Sequence, residues 1–363
     1  MTVKVSHTAE VQNLFKEAAG LNNDQGSPRV KQIMLRLIND AAKIIEDLEI
    51  SDDEFWHAVD YLNRVGGRNE AGLLVPGLGL EHFLDLLQDA KDAQAGLTGG
   101  TPRTIEGPLY VAGAPVCEGE ARMDDGSELD KATVMFLEGV VRDTEGRPVA
   151  GAVVDLWHAN TQGNYSFFDK SQSEYNLRRR IVTDSQGRYR ARSIVPSGYG
   201  CSPDGPTQEC LNLLGRHGQR PAHIHFFICA PGHRHLTTQI NLAGEQYLWD
   251  DFAYATRDGL IGDITFIEDA AAANDRGVQG SRFATLAFDF QLQQASAPAA
   301  EQRSARPRAS RGRSPRDPPR RWPAPGSTGS SRPSRRGRPW KRGRTRTGSA
   351  RPRRRRSVNT ASA

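Results

Sequence analysis

The sequence is poor in cysteine and in long apolar runs. Its four cysteines, in 363 residues, show no CxxC spacing and are too few to stabilise a chain of this length through disulfides, so we expect free thiols. No run approaches the roughly 20 apolar residues that span a bilayer, and the N-terminus lacks a basic segment followed by an apolar core. These absences argue against the secreted and membrane classes, and we expect a cytoplasmic protein.

Positive charge is also scarce over most of the chain. Residues 1–300 hold 27 lysines and arginines against 41 acidic residues, whereas residues 301–363 hold 21 basic residues against two acidic ones. The net charge of +5 therefore comes from the C-terminal segment. That segment consists mostly of Arg, Pro, Ser and Gly, and it has too few apolar side chains to offset its ordering entropy. We predict a disordered basic tail over residues 296–363.

The sequence leaves two interpretations of this tail open. The residue types after about residue 309 are those of GC-rich codons, which favours a product of a shifted reading frame. The alternative is a polycationic arm that binds nucleic acid or anionic surfaces nonspecifically. A dedicated nucleic-acid-binding protein is disfavoured, because the tail has only Trp322 and Trp340 as stacking residues and no RNA-binding motif beside it.

The N-terminal part of the chain has the pattern of amphipathic helices. Apolar residues recur at the helical period over 30–48, after Ser27 as a cap and Pro28 in the first turn. Ser51 and Glu54 have the spacing of a capping box, which predicts the start of a second helix. A third amphipathic stretch, "LEHFLDLLQDAKDA", follows a loop rich in glycine and proline.

From about residue 130 the pattern changes to short strand-like runs separated by turn residues, as in "TEGRPVAG" and "DSQGR". Such a pattern is typical of an all-β sandwich or barrel rather than of alternating strands and helices. We therefore predict the α+β class, with a helical region over residues 1–100, a β-sandwich over residues 101–295 and the tail over residues 296–363.

The run "RPAHIHFFICA" at 220–230 sets two histidines two residues apart in an apolar strand. Because side chains alternate along a strand, His223 and His225 share one face. The spacing alone fits hydrogen-bonded core histidines as well as metal ligands, and His233 and His235 repeat it. The apolar surroundings favour a metal at the first pair, since a buried unpaired imidazole is costly, whereas the second pair follows a turn. The usual zinc patterns are missing.

Four separated motifs together resemble the intradiol ring-cleaving dioxygenases, especially the members that act on catechol. They are "TPRTIEGPLYVAGAP" at 101–115, "LWHANTQGNYSFFD" at 156–169, "IVPSGYG" at 194–200 and "GQRPAHIHFFI" at 218–228. The resemblance covers residues 1 to about 309. It implies one non-haem Fe(III) per subunit, held by Tyr165, Tyr199, His223 and His225. On local grounds alone, both tyrosines would be packing or turn residues.

The resemblance also implies an activity, the O2-dependent cleavage of catechol to cis,cis-muconate in aromatic catabolism by the beta-ketoadipate pathway. Tyr199 would leave the iron when substrate binds and accept a catechol proton, and Arg220 would stabilise negative charge on the ring. Gln239 would be a polar residue near the substrate. Locally, Arg220 fits an ordinary strand-edge arginine equally well, and Gln239 an ordinary strand glutamine.

The residues implied to form the substrate pocket are mostly apolar, and each could equally be simple core. They are Leu73, Pro76, Ile105, Pro108, Leu109, Phe252 and Ala253. The set contains no cation for a carboxylate, which favours catechol over protocatechuate and leaves hydroxyquinol and chlorocatechols as alternative substrates. A binding module that has lost its iron is disfavoured, because all four ligand positions carry ligand residue types.

The resemblance assigns dimerisation to the helical region and catalysis to the β-sandwich. In the family these helices form the subunit interface and enclose a lipid-binding tunnel. We therefore expect a homodimer built on the N-terminal helices, with bound phospholipid and without a membrane span.

Overall fold

The computed structural model describes residues 3–295, in which a group of helices precedes a body rich in β-sheet. The predicted tail at 296–363, with its change of character after about residue 309, lies outside the described residues. All four cysteines fall within the described range and are unpaired, as predicted. None of the helices in this range has the length and apolar character that crossing a bilayer requires.

Within residues 3–295 the chain forms seven helices, five of them in the N-terminal region. Their bounds are α1 Ala9–Ala18, α2 Pro28–Asp47, α3 Asp52–Gly67, α4 Ala71–Gly77, α5 Leu80–Gln94, α6 Pro206–Leu213 and α7 Ala270–Asp275. The predicted caps are present: Ser27 accepts a hydrogen bond from the N–H of Val30, and Ser51 and Glu54 form the reciprocal capping box. The strand-like pattern after residue 130 does not predict α6 and α7.

The described strands form two mixed sheets and a short ribbon. Their bounds are β1 Val116–Glu118, β2 Glu120–Arg122, β3 Val134–Asp143, β4 Val153–His158, β5 Arg178–Val182, β6 Arg188–Ile194, β7 Tyr199–Gly200, β8 Gln219–Arg220, β9 His223–Cys229, β10 Leu236–Leu242, β11 Ile261–Gly262, β12 Ile264–Glu268, β13 Arg282–Ala287 and β14 Phe290–Leu292. The first sheet has the order β1-β5-β4-β9-β10-β11. The second has the order β12-β13-β3-β6-β2, with β14 also on β3, and β7 pairs with β8. The predicted α+β class with a sandwich body is confirmed.

Strand β9 lies in the middle of the first sheet, and its two faces have different environments. Ile224, Phe226 and Ile228 enter the main core, which both sheets line. His223 and His225 are buried on the opposite, outer face of the same sheet. The period of two that the sequence predicts for this strand therefore separates core residues from the two histidines.

Polar contacts attach the N-terminal helices to the body next to this outer face. Tyr61 on α3 donates a hydrogen bond to the carbonyl of Pro206, 3.0 Å away, at the start of α6. Glu70 accepts from the backbone N–H of Thr207, also at 3.0 Å. The Arg257 guanidinium forms an ion pair with Asp89 on α5 at 2.7 Å. Helices α3 to α5 are thereby fixed over the sheet that carries the histidines.

Candidate metal centre

The four residues predicted as ligands lie in three separate parts of the chain and meet on the outer face of the first sheet. The Tyr165 Oη lies 3.4 Å from the Tyr199 Oη, and each of these oxygens lies 3.4 Å from the Nε2 of His223. The Nε2 atoms of His223 and His225 are 3.1 Å apart. Donors that each stand about 2.1 Å from one metal ion are separated by roughly 3 to 3.5 Å, so this spacing suits a shared ion.

Both imidazoles are buried and neutral, the form in which histidine binds a metal. The carbonyl of Pro221 lies 2.7 Å from the Nδ1 of His223, so that nitrogen carries the proton and the Nε2 lone pair faces the tyrosines. Burial, helped by the charge of Arg220, lowers the pKa of His223 to about 3. Burial also lowers the pKa of His225 well below its ordinary value.

The Tyr165 side chain is held in the loop after β4, where a glycine permits a close approach. The side chain of Asn160 accepts hydrogen bonds from the N–H groups of Gln162 and Asn164 and so tightens the loop. Gly163 has a φ of +77°, and a Cβ there would lie 2.5 Å from the Cβ of Tyr199. Only glycine fits this position, and it brings the two tyrosines together.

The phenol of Tyr165 is fully enclosed. Burial, followed by the neighbouring Tyr199, raises the pKa of Tyr165 well above its ordinary value. The hydroxyl therefore keeps its proton unless a cation occupies the space between the four donors, since a bound metal drives deprotonation of its ligands.

A buried arginine lies beside the donor atoms. Arg220 is 5% exposed, and its Nη1 lies 2.9 Å from the Nε2 of His223 and 3.5 Å from the Tyr199 Oη. Its Nε and Nη2 each donate to Asp251 at 3.1 Å, and Nη2 also donates to the Gln239 Oε1 at 3.0 Å. Burial alone would raise the pKa of Asp251, but the charge and hydrogen bonds of Arg220 hold it below its ordinary value. The result is a fixed positive charge next to the four donors.

A cavity of about 460 Å³ opens beside the two tyrosines. The residues that line it are Leu73, Leu109, Gly163, Asn164, Tyr165, Phe168, Asp169, Tyr199, Gly200, Cys201, Ser202 and Phe252. No lysine or arginine is among these described residues. An aromatic ring of modest size fits this space, and nothing in its lining offers a cation to a carboxylate substituent.

The other predicted pocket residues do not belong to the described lining of this cavity. Ile105 and Ala253 belong to a small buried cluster together with Phe252. Pro76 is buried inside α4, and Pro108 packs against Gly72 at the start of that helix. Pro76, Ile105, Pro108 and Ala253 are therefore not among the described residues that line the cavity, while Leu73, Leu109 and Phe252 are.

The sequence does not predict every residue around the four donors, and it predicts a different position for one of them. Asp251 gives no local signal, because its role depends on contact with Arg220, 31 positions earlier. Gln239, predicted near the substrate, contacts Arg220 and Asn241 and is not among the described residues that line the cavity. The cavity residues at 163–169 lie inside the quoted motif at 156–169. The motif identifies this segment, but it does not predict which of its side chains face the cavity.

The second histidine pair lies apart from these donors. The Nδ1 of His235 is 2.7 Å from the Cys229 thiol, and the Nδ1 of His233 is 3.0 Å from the carbonyl of Pro231. Within residues 3–295, no group of three or more His, Cys, Asp or Glu side chains is suited to a metal ion. The cluster that combines two imidazoles with two phenols is the candidate centre.

Two family models match the chain, one described as the catechol dioxygenase N terminus over residues 27–96 and one described as dioxygenase over residues 105–294. The chain is 54% identical over 307 residues to a catechol 1,2-dioxygenase of Pseudomonas sp. (strain EST1001), covering 85% of this chain and 100% of that protein. It is 54% identical over 294 residues to a catechol 1,2-dioxygenase of Acinetobacter baylyi, covering 80% and 94% respectively. The solved structure of catechol 1,2-dioxygenase from Pseudomonas arvilla C-1 matches with a TM-score of 0.82 and 74% identity, covering 85% of this chain and 99% of that one. The chain belongs to the intradiol dioxygenase family.

Membership of this family implies a non-haem iron cofactor, and the donor set fits one. Phenolate oxygen and imidazole nitrogen suit a hard, highly charged ion such as Fe(III), and thiolates are absent from the four donors. The Nδ1 of His225 is buried without a hydrogen-bond partner, whereas its Nε2 faces the other donors. The protein surroundings do not determine which nitrogen of His225 carries the proton. A metal bound at Nε2 would place the proton on Nδ1.

Proposed function

We propose that this intradiol dioxygenase cleaves catechol with O2 to cis,cis-muconate, using one Fe(III) per subunit. The observation that carries the proposal is the meeting of two phenol oxygens and two imidazole nitrogens, 3.1 to 3.4 Å apart, beside a cavity without a lining cation. Tyr165, Tyr199, His223 and His225 would hold the Fe(III), which would supply Lewis-acid chemistry to a catechol that binds it through both oxygens.

The two tyrosines differ in ways that suit different roles. Tyr165 is 3% exposed and packs in a buried cluster with Trp157 and Phe227, so it is assigned as the phenolate ligand that stays bound. Tyr199 is only partly buried and lies on the short ribbon β7-β8. It is assigned as the phenolate that would be free to leave the metal and to accept one of the two catechol protons at its Oη.

Arg220 supplies the fixed charge that the reaction needs. Negative charge develops on the substrate as its protons leave, and the guanidinium lies 3.5 Å from the Oη of Tyr199, a residue that lines the cavity proposed for the substrate. Asp251 and Gln239 hold the guanidinium in this orientation from behind. Arg220 does not line the cavity itself, so it is assigned to act on the substrate's charge from beside Tyr199 and His223, while Gln239 acts by positioning Arg220.

The cavity favours an unsubstituted ring. A carboxylate, as in protocatechuate, would find no lining cation, so that substrate should be poor. Hydroxyquinol and chlorocatechols stay as alternative substrates, and their extra group would have to fit against Leu73, Leu109 or Phe252. Comparing kcat/KM for the four substrates decides between these alternatives.

The ligand assignment has a direct spectroscopic test. Charge transfer from tyrosinate to Fe(III) should give the purified protein a burgundy to wine-red colour. Replacing Tyr165 or Tyr199 by Phe removes one phenolate and should shift or abolish the band. A colourless wild type that is fully loaded with iron and active would overturn the assignment.

We further propose that residues 1–100 mediate dimerisation and residues 101–295 catalysis. Ile33, Leu37 and Ile44 on α2 are 49%, 58% and 53% exposed in the single chain, an apolar stripe that a second copy would cover. Phospholipid bound at the same surface is part of this proposal. Sedimentation should show a dimer at micromolar concentration, and organic extraction should release lipid. A monomer would contradict the dimer, and a dimer without lipid would contradict the lipid alone.

A further inference from the structure

A second fully buried arginine, Arg178, lies close to Tyr165 and forms no ion pair with any residue of the described range 3–295. Arg178, the first residue of β5, is 1% exposed. Its Nε donates to the Ser166 Oγ at 3.0 Å and its Nη2 to the Ser166 carbonyl at 3.1 Å. Its Nη1 is buried and has no hydrogen-bond partner. Among the ion pairs formed by residues 3–295, none includes Arg178.

Arg220 is also a buried arginine, but its charge is balanced by a carboxylate in direct contact. Its guanidinium has the carboxylate of Asp251 at 3.1 Å and the amide of Gln239 at 3.0 Å. Arg178 has only neutral oxygen acceptors, both from Ser166. Burying a cation without a hydrogen-bonded ion-pair partner is unfavourable, so the position of Arg178 needs an explanation.

The neighbours of Arg178 suggest where the missing negative charge arises. Its guanidinium carbon lies 5.7 Å from the centroid of the Tyr165 ring, within the range of a cation–π contact. The carboxylate of Asp155 is near enough to interact electrostatically with Arg178, but among the described contacts it forms no ion pair with the guanidinium and instead accepts a hydrogen bond of 2.8 Å from the Tyr110 hydroxyl. When Tyr165 binds a metal it loses its proton, and the aromatic ring under the guanidinium becomes anionic.

We propose that Arg178 is the counter-cation of the Tyr165 phenolate and a positioning residue of the candidate iron centre, an inference that rests on the proposed function. Through Ser166, the residue next to Tyr165, Arg178 also fixes the backbone that carries the ligand. Arg178 does not touch the cavity, since it is not among the described residues that line it. It acts on the centre through Tyr165.

Two measurable consequences follow from the charge. A cation beside the phenolate lowers the energy of the electrons that the phenolate donates, so removing it should move the tyrosinate-to-iron absorption band to longer wavelength. The phenolate would also be harder to form, so iron should bind about tenfold or more weakly, as is usual when a partner of a metal ligand is lost. A purely structural role would lower stability without moving the band.

The experiment compares three substitutions at this position with one matched control. Arg178→Met removes the charge and both hydrogen bonds, whereas Arg178→Gln removes the charge but keeps an N–H that can donate to Ser166. Arg178→Lys keeps a positive charge. Arg180→Met removes an arginine from the same face of β5, where Arg180 donates to the carbonyl of Ala114, away from Tyr165. Absorption spectra of the iron-loaded proteins and chelator competition for iron are measured for each.

The proposal predicts a longer-wavelength band and weaker iron binding in both Arg178→Met and Arg178→Gln. It predicts values near wild type for Arg178→Lys and Arg180→Met. If Arg178→Met fails to fold, Arg178→Gln carries the same comparison. A wild-type band position and wild-type iron affinity in the charge-free variants would overturn the inference while leaving the proposed function intact. A wild type that binds iron without any tyrosinate band would overturn both.

Discussion

The imidazole of His225 is stacked in parallel on the indole of Trp157, with ring centroids 4.9 Å apart and ring planes 3° apart. His223 is oriented differently, by a hydrogen bond between its Nδ1 and the carbonyl of Pro221. Because the Nδ1 of His225 has no such partner, the stack is the contact that sets the direction of its ring. The two histidines of the candidate centre are thus held by two different physical means.

Replacing Trp157 should therefore weaken iron binding through His225. Trp157→Leu removes the stack, and we expect iron affinity to fall by about 10- to 100-fold, the usual effect of losing support for a metal ligand. Trp157→Phe keeps an aromatic face and should lose much less. Chelator competition measures both affinities. Equal affinities in the Leu and Phe variants would show that stacking does not orient His225.

Asp251→Asn should separate the role of Arg220 from that of the metal ligands. The substitution leaves Arg220 buried without its counter-charge, which we expect to cost about 3 to 5 kcal/mol of unfolding free energy. The four donors are unchanged, so the iron-loaded variant should keep its colour while kcat falls. Chemical denaturation, absorption spectra and steady-state kinetics check the three parts. An unchanged kcat would remove Arg220 and its support from the catalytic account.

Gly163→Ala should disrupt the approach of the two tyrosines. The new Cβ would lie 2.5 Å from the Cβ of Tyr199. The backbone φ of +77° at this position is also left-handed, a conformation that alanine adopts only at a cost in energy. We expect loss of the tyrosinate band and of activity. Gly146→Ala is the matched control, since its φ is +82° but a Cβ there meets nothing within 4 Å. The control should lose only about 1 to 2 kcal/mol of stability and keep its colour.

A buried carboxylate that is not one of the four donors predicts a pH-dependent stability. Burial raises the pKa of Asp155 to about 6, although the hydrogen bond from Tyr110 opposes the shift. The folded protein thus holds the Asp155 proton more tightly than the unfolded chain does. The stabilisation of the fold by this bound proton is fully present below about pH 4 and is lost as pH rises through 6. Asp155→Asn should stabilise the fold by up to about 3 kcal/mol at pH 7 to 8.

Urea denaturation of the wild type and of Asp155→Asn, from pH 5 to pH 8, tests this expectation. The gap between the two unfolding free energies should widen with rising pH. A gap that stays constant would mean that Asp155 is ionised with its ordinary pKa in the folded protein.

The basic tail should be dispensable for catalysis. The donors and the cavity lining lie between Leu73 and Phe252, so a chain that ends after Ala309 should keep its iron, colour and turnover. The shortened chain should elute from DNA-cellulose at lower salt, because it lacks most of the 21 basic residues after residue 300. Loss of turnover in an iron-loaded shortened chain would assign the tail a catalytic role.

The sequence predicts those features that depend on neighbours along the chain. The caps of α2 and α3 follow from Ser27 and Ser51 because capping is a local hydrogen bond. The shared face of His223 and His225 follows from the period of two in a strand. The change from helical to strand-like patterns also predicts the class of the fold, whereas Tyr165 and Tyr199 are predicted as ligands only through the resemblance.

The sequence does not predict the contacts that cross between elements. Asp251 and Trp157 act on residues 31 and 68 positions away, and no local pattern distinguishes them from ordinary acidic and core residues. The buried charge of Arg178 depends in the same way on the distant Tyr165 loop. These roles become visible only when burial and missing partners are known.

The product formed from catechol tests the central claim most directly. Purified, iron-loaded protein is mixed with catechol under labelled O2, and the product is identified by ultraviolet absorption and mass spectrometry. The account predicts cis,cis-muconate that contains both atoms of one O2 molecule. Formation of 2-hydroxymuconic semialdehyde, the product of cleavage outside the two hydroxyl groups, would contradict it.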